Sequence, residues 1–128
     1  METGIKGRAE VLVSYENTAA KAGSGDQLVF ATPWMIGLME EAAQTSVLPY
    51  LEEGQATVGT HLDVSHDAAT PIGMKVWAES ELIAVEGRKL VFNVSAYDEC
   101  GLIGKGTHER FIINKEKFMA RVEAKKAK

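Results

Sequence analysis

The sequence predicts an α+β fold in which one long helix lies on an antiparallel sheet. Two observations carry that expectation. From Met35 to Leu51 apolar residues recur at spacings of three and four: Met35, Leu38, Met39, Ala42, Ala43, Val47, Tyr50 and Leu51. That is the pattern of a helix buried on one wide face. After Gly54 the period changes to two and holds, with short interruptions, to Ile113, the pattern of consecutive half-buried strands. Two such surfaces hide their apolar sides by stacking on each other.

The elements follow in order. Residues Gly7 to Ser14 alternate, with Ala9, Val11 and Val13 on one parity, and form a first strand. Asn17 to Asp26 is polar and carries two glycines, so it reads as a loop. Thr32 is placed as the N-cap of the long helix and Pro33 in its first turn. Pro49 loosens the last turn, and Gly54 follows as a stop. Val58, Thr60, Leu62, Val64 and His66 share one parity of the second strand. A turn from Ala68 to Gly73 leads to a strand from Met74 to about Val85. Glu86-Gly87 marks a tight hairpin into a strand from Arg88 to Tyr97. The turn at Asp98 to Gly101 precedes the last strand, Leu102 to Ile113. Asn114 caps a short basic helix frayed by a lysine-rich tail, residues 124–128.

Composition bounds the function. With 128 residues, 45% hydrophobic and 25% charged, the chain is a single domain, residues 1–128, of ordinary globular make-up. The net charge of −4 argues against a nucleic-acid partner. No apolar run approaches the ~20 residues needed to span a bilayer, so no membrane partner is expected. A lone cysteine, Cys100, excludes an internal disulfide and fits a reducing, cytoplasmic setting. It sits in the acidic turn Asp98-Glu99-Cys100-Gly101, a poor place for a reactive thiolate.

The candidate chemistry lies in three polar groups set against apolar faces. At ~100° per residue, Glu40 falls at the edge of the helix's apolar stripe and Glu41 nearly opposite it. Glu40 can reach a pocket at the helix flank; the alternative is a second exposed acid. His66 shares its parity with Leu62 and Val64, whereas His61 points the other way with Asp63 and Ser65. The alternative for His66 is a histidine satisfied within the core. Thr32 marks a helix N-terminus, where free N–H groups favour developing negative charge. His108 and Arg110 share a parity of the last strand with Gly104 and Gly106, which leave room on that face. Arg110 paired with an acid at the surface is the alternative. Gly59, beside the inward parity, marks a close approach. A metal site is not expected, because strand alternation puts His61 and Asp63 on one face and His66 on the other. A hydroxyl, an acid and an imidazole brought together at a core are the components of acyl transfer.

Seven segments resemble a known family. They are Phe30-Ala31-Thr32-Pro33, Gly37-Leu38-Met39-Glu40, Val58-Gly59-Thr60-His61, Ser65-His66, Ala69-Thr70-Pro71-Ile72-Gly73, Val85-Glu86-Gly87-Arg88 and Ile103 to Arg110. Together they are similar to the fluoroacetyl-CoA thioesterases of the hot-dog fold, over about Val29 to Phe118. The resemblance implies a long helix wrapped by an antiparallel sheet, and a homodimer joined sheet edge to sheet edge with acyl-CoA sites near the interface. It implies Thr32, Glu40 and His66 as catalytic residues and Gly59 and Arg110 as substrate-binding residues. No cofactor is implied. The enzyme that gives the family its name carries phenylalanines in a lid just before the Phe-Ala-Thr segment. Here Lys21 to Gln27 holds no aromatic residue. The expected activity is therefore hydrolysis of several short-chain acyl-CoA thioesters with modest preference among them. A CoA-dependent hydratase and a non-catalytic acyl-CoA or small-ligand binding module are the alternatives.

Overall fold

A computed structural model describes residues 1–127. Five strands form one antiparallel sheet: β1 (Lys6–Leu12), β2 (Gln55–Val64), β3 (Lys75–Glu86), β4 (Lys89–Asp98) and β5 (Gly101–Asn114), in the spatial order β1-β3-β4-β5-β2. Short turns join β3, β4 and β5. At the β3–β4 hairpin Glu86 pairs with Lys89, and Gly87 supplies a positive φ of 64°. The strand after the long helix does not pair with its successor. It runs to the far edge beside β5, leaving β1 and β2 as the free edges.

Between β1 and the long helix, the predicted loop contains a short helix, α1 (Ala19–Ala22), ended by left-handed Gly23. The long helix, α2 (Thr32–Val47), packs on β1, β3 and β4. Its inward residues Met35, Leu38, Met39, Ala42, Ala43 and Val47 are all buried. They meet Val76, Ala78 and Leu82 of β3 and Leu90, Phe92, Val94 and Ala96 of β4 in one apolar cluster. The stripe stops three residues before Tyr50. Pro49 leaves no N–H for another helical turn, the chain tightens into a 3-10 turn at Leu48–Tyr50, and Tyr50 is 56% exposed. The helix can lie close to β1 because Gly7 has no Cβ: a methyl there would strike the Ala42 carbonyl.

The terminal helix, α3 (Lys115–Glu123), starts as expected, with the Asn114 side chain accepting from Lys117 N–H. Residues Ala124–Ala127 continue as a 3-10 turn, and Lys128 of the expected tail lies outside the described residues.

Two expectations fail here, each for a local reason. Thr32 is not the N-cap. Ala31, in extended conformation, holds that position, and Thr32 is the first helical residue. The Thr32 hydroxyl is engaged elsewhere, so the first turn of α2 has no side-chain cap. The single parity expected for β2 is also wrong. A bulge between Gly59 and His61 shifts the register against β5. Opposite residues of an antiparallel pair share a face. Gly59 faces buried Arg110, and beyond the bulge Leu62 faces buried His108. The inward set is therefore Thr57 and Gly59 before the bulge, and Leu62 and Val64 after it. Val58 and Thr60 look outward.

Candidate active site

The predicted residues fall into two groups in the protomer. The first is at the N-terminus of α2. Thr32 Oγ1 and His66 Nδ1 share a 2.7 Å hydrogen bond. His66 is not delivered there by strand alternation, because β2 ends at Val64. The turn after β2 delivers it. Ser65 N–H donates to the Lys105 carbonyl, and Asp67 and Ala68 N–H both donate to the Ile103 carbonyl. Further on, the Thr70 hydroxyl donates to Asp98 at 2.7 Å, and Phe30 N–H donates to the Thr70 carbonyl. The turn carrying His66 is thus tied to the segment that enters α2. Burial pushes the His66 pKa down, opposed by the Ala68 backbone and the Asp67 charge. Its Nε2 is buried with no hydrogen-bond partner. An unpaired buried nitrogen is costly, and among the described residues only Ser80 Oγ shares this condition.

The second group lies two turns along α2. Glu40 follows Thr32 by eight residues, roughly 12 Å along a helix axis. Neither side chain spans that distance, so Thr32 and Glu40 of one chain do not touch. Glu41 points to solvent, as its phase requires. Glu40 Oε2 lies 3.8 Å from Arg110 Nη1, with the glutamate side chain 38% exposed and the arginine only 7%. A Cβ on Gly59 would stand 2.6 Å from that carboxylate oxygen, 3.2 Å from His108 Cε1 and 3.3 Å from Arg110 Nη1. Gly59 is a notch into which three polar side chains look.

Arg110 is not the surface residue of the alternative reading. It is 6% exposed, and Thr57 holds it twice. Arg110 Nε donates to Thr57 Oγ1 at 2.9 Å, and Nη2 donates to the Thr57 carbonyl at 3.0 Å. Burial lowers the guanidinium pKa and the Glu40 charge raises it; an arginine stays charged regardless. Thr57 and His108 are the two residues of this group that sequence reasoning did not select. His108 was signalled by its parity with Gly104, Gly106 and Arg110. Thr57 carried no signal, because the bulge that turns it inward leaves no mark in composition. Among the described residues no three His, Cys, Asp or Glu side chains gather to hold a metal ion.

The model of the family described as "FlK: Fluoroacetyl-CoA-specific thioesterase" matches residues 13–116. The chain belongs to that family. A fluoroacetyl-CoA thioesterase of Streptantibioticus cattleyicolor is 52% identical over 97 residues, covering 76% of this chain and 70% of the relative. A structure of the fluoroacetyl-CoA thioesterase FlK, a variant in complex with acetyl-CoA, superposes with a TM-score of 0.92 at 40% identity and covers 98% of both chains. A Thermus thermophilus hypothetical protein, a thioesterase superfamily member, gives 0.91 at 34% identity, covering 98% of this chain and 93% of that one. The sheet curled against one long helix is the hot-dog fold of these thioesterases.

Proposed function

We propose that this family member hydrolyses short-chain acyl-CoA thioesters at a site built from the Gly59 notch and the Thr32–His66 pair. The observation that carries the reading is the Glu40 carboxylate held at the notch beside buried, charged Arg110. Hydrolysis adds water to the acyl carbon, breaks the C–S bond, and leaves a carboxylate, a proton and the CoA thiol. Glu40 acts as nucleophile or takes the proton from the attacking water. His66 carries a proton through its free Nε2. Thr32 orients that ring, and the uncapped start of α2 favours charge on the acyl oxygen. Arg110 and Gly59 receive the acyl group.

The 12 Å between Thr32 and Glu40 supports a further part of the reading: the active form is a homodimer in which the site is completed across subunits. β2 is a free sheet edge, and free edges need covering. The Gly59 notch lies on that strand, so a second copy paired there closes it. Thr32 and His66 of one subunit would then serve with Glu40 of the partner subunit. No helix among the described residues is long and apolar enough to cross a membrane. Exposed, unpaired Cys100 suits a cytoplasmic enzyme.

Lys21 to Leu28 are all exposed, and the excursion is closed at its base by the Thr18–Phe30 bridge. With no aromatic residue, it shields the site poorly. A change as small as one substituent is worth only ~1–3 kcal/mol in ordinary pocket contacts. The test compares kcat/KM for fluoroacetyl-, acetyl- and propionyl-CoA by release of free thiol. Turnover of all three within about two hundredfold is expected. No thiol release from any of them would refute the thioesterase reading, and a ten-thousandfold preference for fluoroacetyl-CoA would refute the open loop.

A further inference from the structure

We propose that His108 is a positioning residue, a neutral hydrogen-bond acceptor that turns the Arg110 guanidinium toward Glu40 and the Gly59 notch. This rests on the notch being the acyl pocket.

Hydrogen-bond arithmetic determines the state of the ring. His108 is fully buried in the middle of β5. Its Nδ1 lies 2.8 Å from the His61 carbonyl oxygen. A carbonyl only accepts, so Nδ1 carries the hydrogen. Its Nε2 lies 3.2 Å from Arg110 Nη1. Arginine has five N–H groups and no acceptor, so Nε2 presents a lone pair. The ring is then a neutral imidazole of one defined tautomer. A second proton on Nε2 would set two donors and two cations against each other in a buried site.

The consequence lands on Arg110. Thr57 occupies Nε and one Nη2 hydrogen, and His108 occupies one hydrogen of Nη1. The other Nη1 hydrogen is left to the side where Glu40 Oε2 and the notch lie. Without His108, Nη1 loses the contact that defines its rotation about the pocket. Every neighbouring element bears on the ring. Phe92 of β4 stacks beside it with centroids 6.1 Å apart, His61 of β2 supplies the carbonyl, and Glu40 of α2 and Glu109 and Arg110 of β5 supply charge. Burial and the Arg110 charge hold the ring below the usual histidine range, against the His61 backbone and the two carboxylates.

The experiment is a double-mutant cycle on acetyl-CoA hydrolysis with the full chain. His108→Phe keeps a flat ring against Phe92 but removes the acceptor. It should cost about tenfold or more in kcat/KM, the scale of a hydrogen bond to a charged group. His108→Gln restores an acceptor oxygen and should recover activity to within about threefold of wild type. His108→Phe combined with Arg110→Gln should be no slower than Arg110→Gln alone, since the histidine acts through the arginine. Losses that multiply, or a His108→Phe enzyme at wild-type kcat/KM, would overturn the proposal. Full activity in Arg110→Gln would instead overturn the acyl-pocket reading. Should a variant fail to fold, nitrogen-15 NMR of the wild-type ring decides. A protonated Nδ1 with a bare Nε2 at pH 6.5 is expected, and an Nε2–H tautomer or an imidazolium would overturn the proposal.

Discussion

Replacing Gly59 by alanine separates function from folding in this site. The added Cβ would stand 2.6 Å from Glu40 Oε2, whereas ordinary van der Waals contact begins at 3.4 Å. The carboxylate must therefore retreat by about 0.8 Å, the difference of those two distances. It can do so, because the Glu40 side chain is 38% exposed and ends in a freely turning group. His108 and Arg110, at 3.2 and 3.3 Å, need to yield only a tenth or two. Alanine also gains roughly 0.5–1 kcal/mol over glycine in a strand, which offsets part of the crowding. The fold should hold, with the melting temperature within about 4 °C of wild type, the shift that 1 kcal/mol produces in a chain this long. Catalysis should not hold. A displacement near 1 Å at a reacting group costs about a hundredfold, so kcat/KM for acetyl-CoA should fall by that order. Thiol release and a thermal melt on one preparation measure both. An alanine variant with wild-type kcat/KM would refute the notch as the acyl site. The contrast is Gly104→Ala or Gly106→Ala, whose Cβ atoms would strike the carbonyls of Ser65 and Asp63. Backbone cannot step aside, so those variants should unfold or lose the β2–β5 pairing.

Glu40→Gln should lose most turnover with its melt unchanged, while solvent-facing Glu41→Gln should match wild type; equal losses would mean the acid acts through surface charge. His66→Ala should lower kcat by a hundredfold or more and exposed His61→Ala should not, the usual reach of a general acid or base. Because burial depresses His66 and His108, the acid limb of kcat/KM should lie below pH 6.5, and a limb above it would contradict their burial. The same depression makes both rings stabilising when neutral: that contribution is complete above pH 6.5 and is lost as the pH falls through the folded-state values, so melts should drop in that window. Sedimentation at micromolar concentration should give twice the 13.9 kDa chain mass, and a single-chain mass would remove the partner's Glu40 from the site.

The layering and the order of elements were legible in the sequence because periodicity survives wherever packing is regular. The apolar face of α2 and the alternating burial of β3 and β4 are regular in this sense, even where the hairpin registers shift at Leu82/Ala84 and Ala96/Tyr97, and the glutamate phase argument held because it rests on one unbroken helix. The readings that failed sit where regularity breaks. Tyr50 lies past a proline. Thr32 yields its cap position because Ala31 is extended and the hydroxyl has a tertiary partner 34 residues on. His66 was assigned inward by a parity that does not reach it. The partnership of His66 with Thr32 is made by a turn and its hydrogen bonds, which residue spacing does not encode. Residue spacing singled out Gly59 and Arg110 and family resemblance supplied their expected role, but strand parity alone would have turned Gly59 away from Arg110.

The bulge at Gly59–His61 acts as a gearbox between two loads on one strand. Upstream, odd-numbered Thr57 and Gly59 meet Arg110; downstream, even-numbered Leu62 stands opposite His108 and Val64 packs against the apolar cluster. Selection can therefore rework Thr57 and Gly59 without disturbing the apolar contacts beyond them. A one-residue deletion at Thr60 is a different event. It would remove the unpaired residue and leave Gly59 opposite Arg110, His61 opposite Glu109 and Leu62 opposite His108, so both halves of the strand would keep their faces. The strand thus carries one residue more than its pairing with β5 uses, and Thr60 is the residue the ladder can spare.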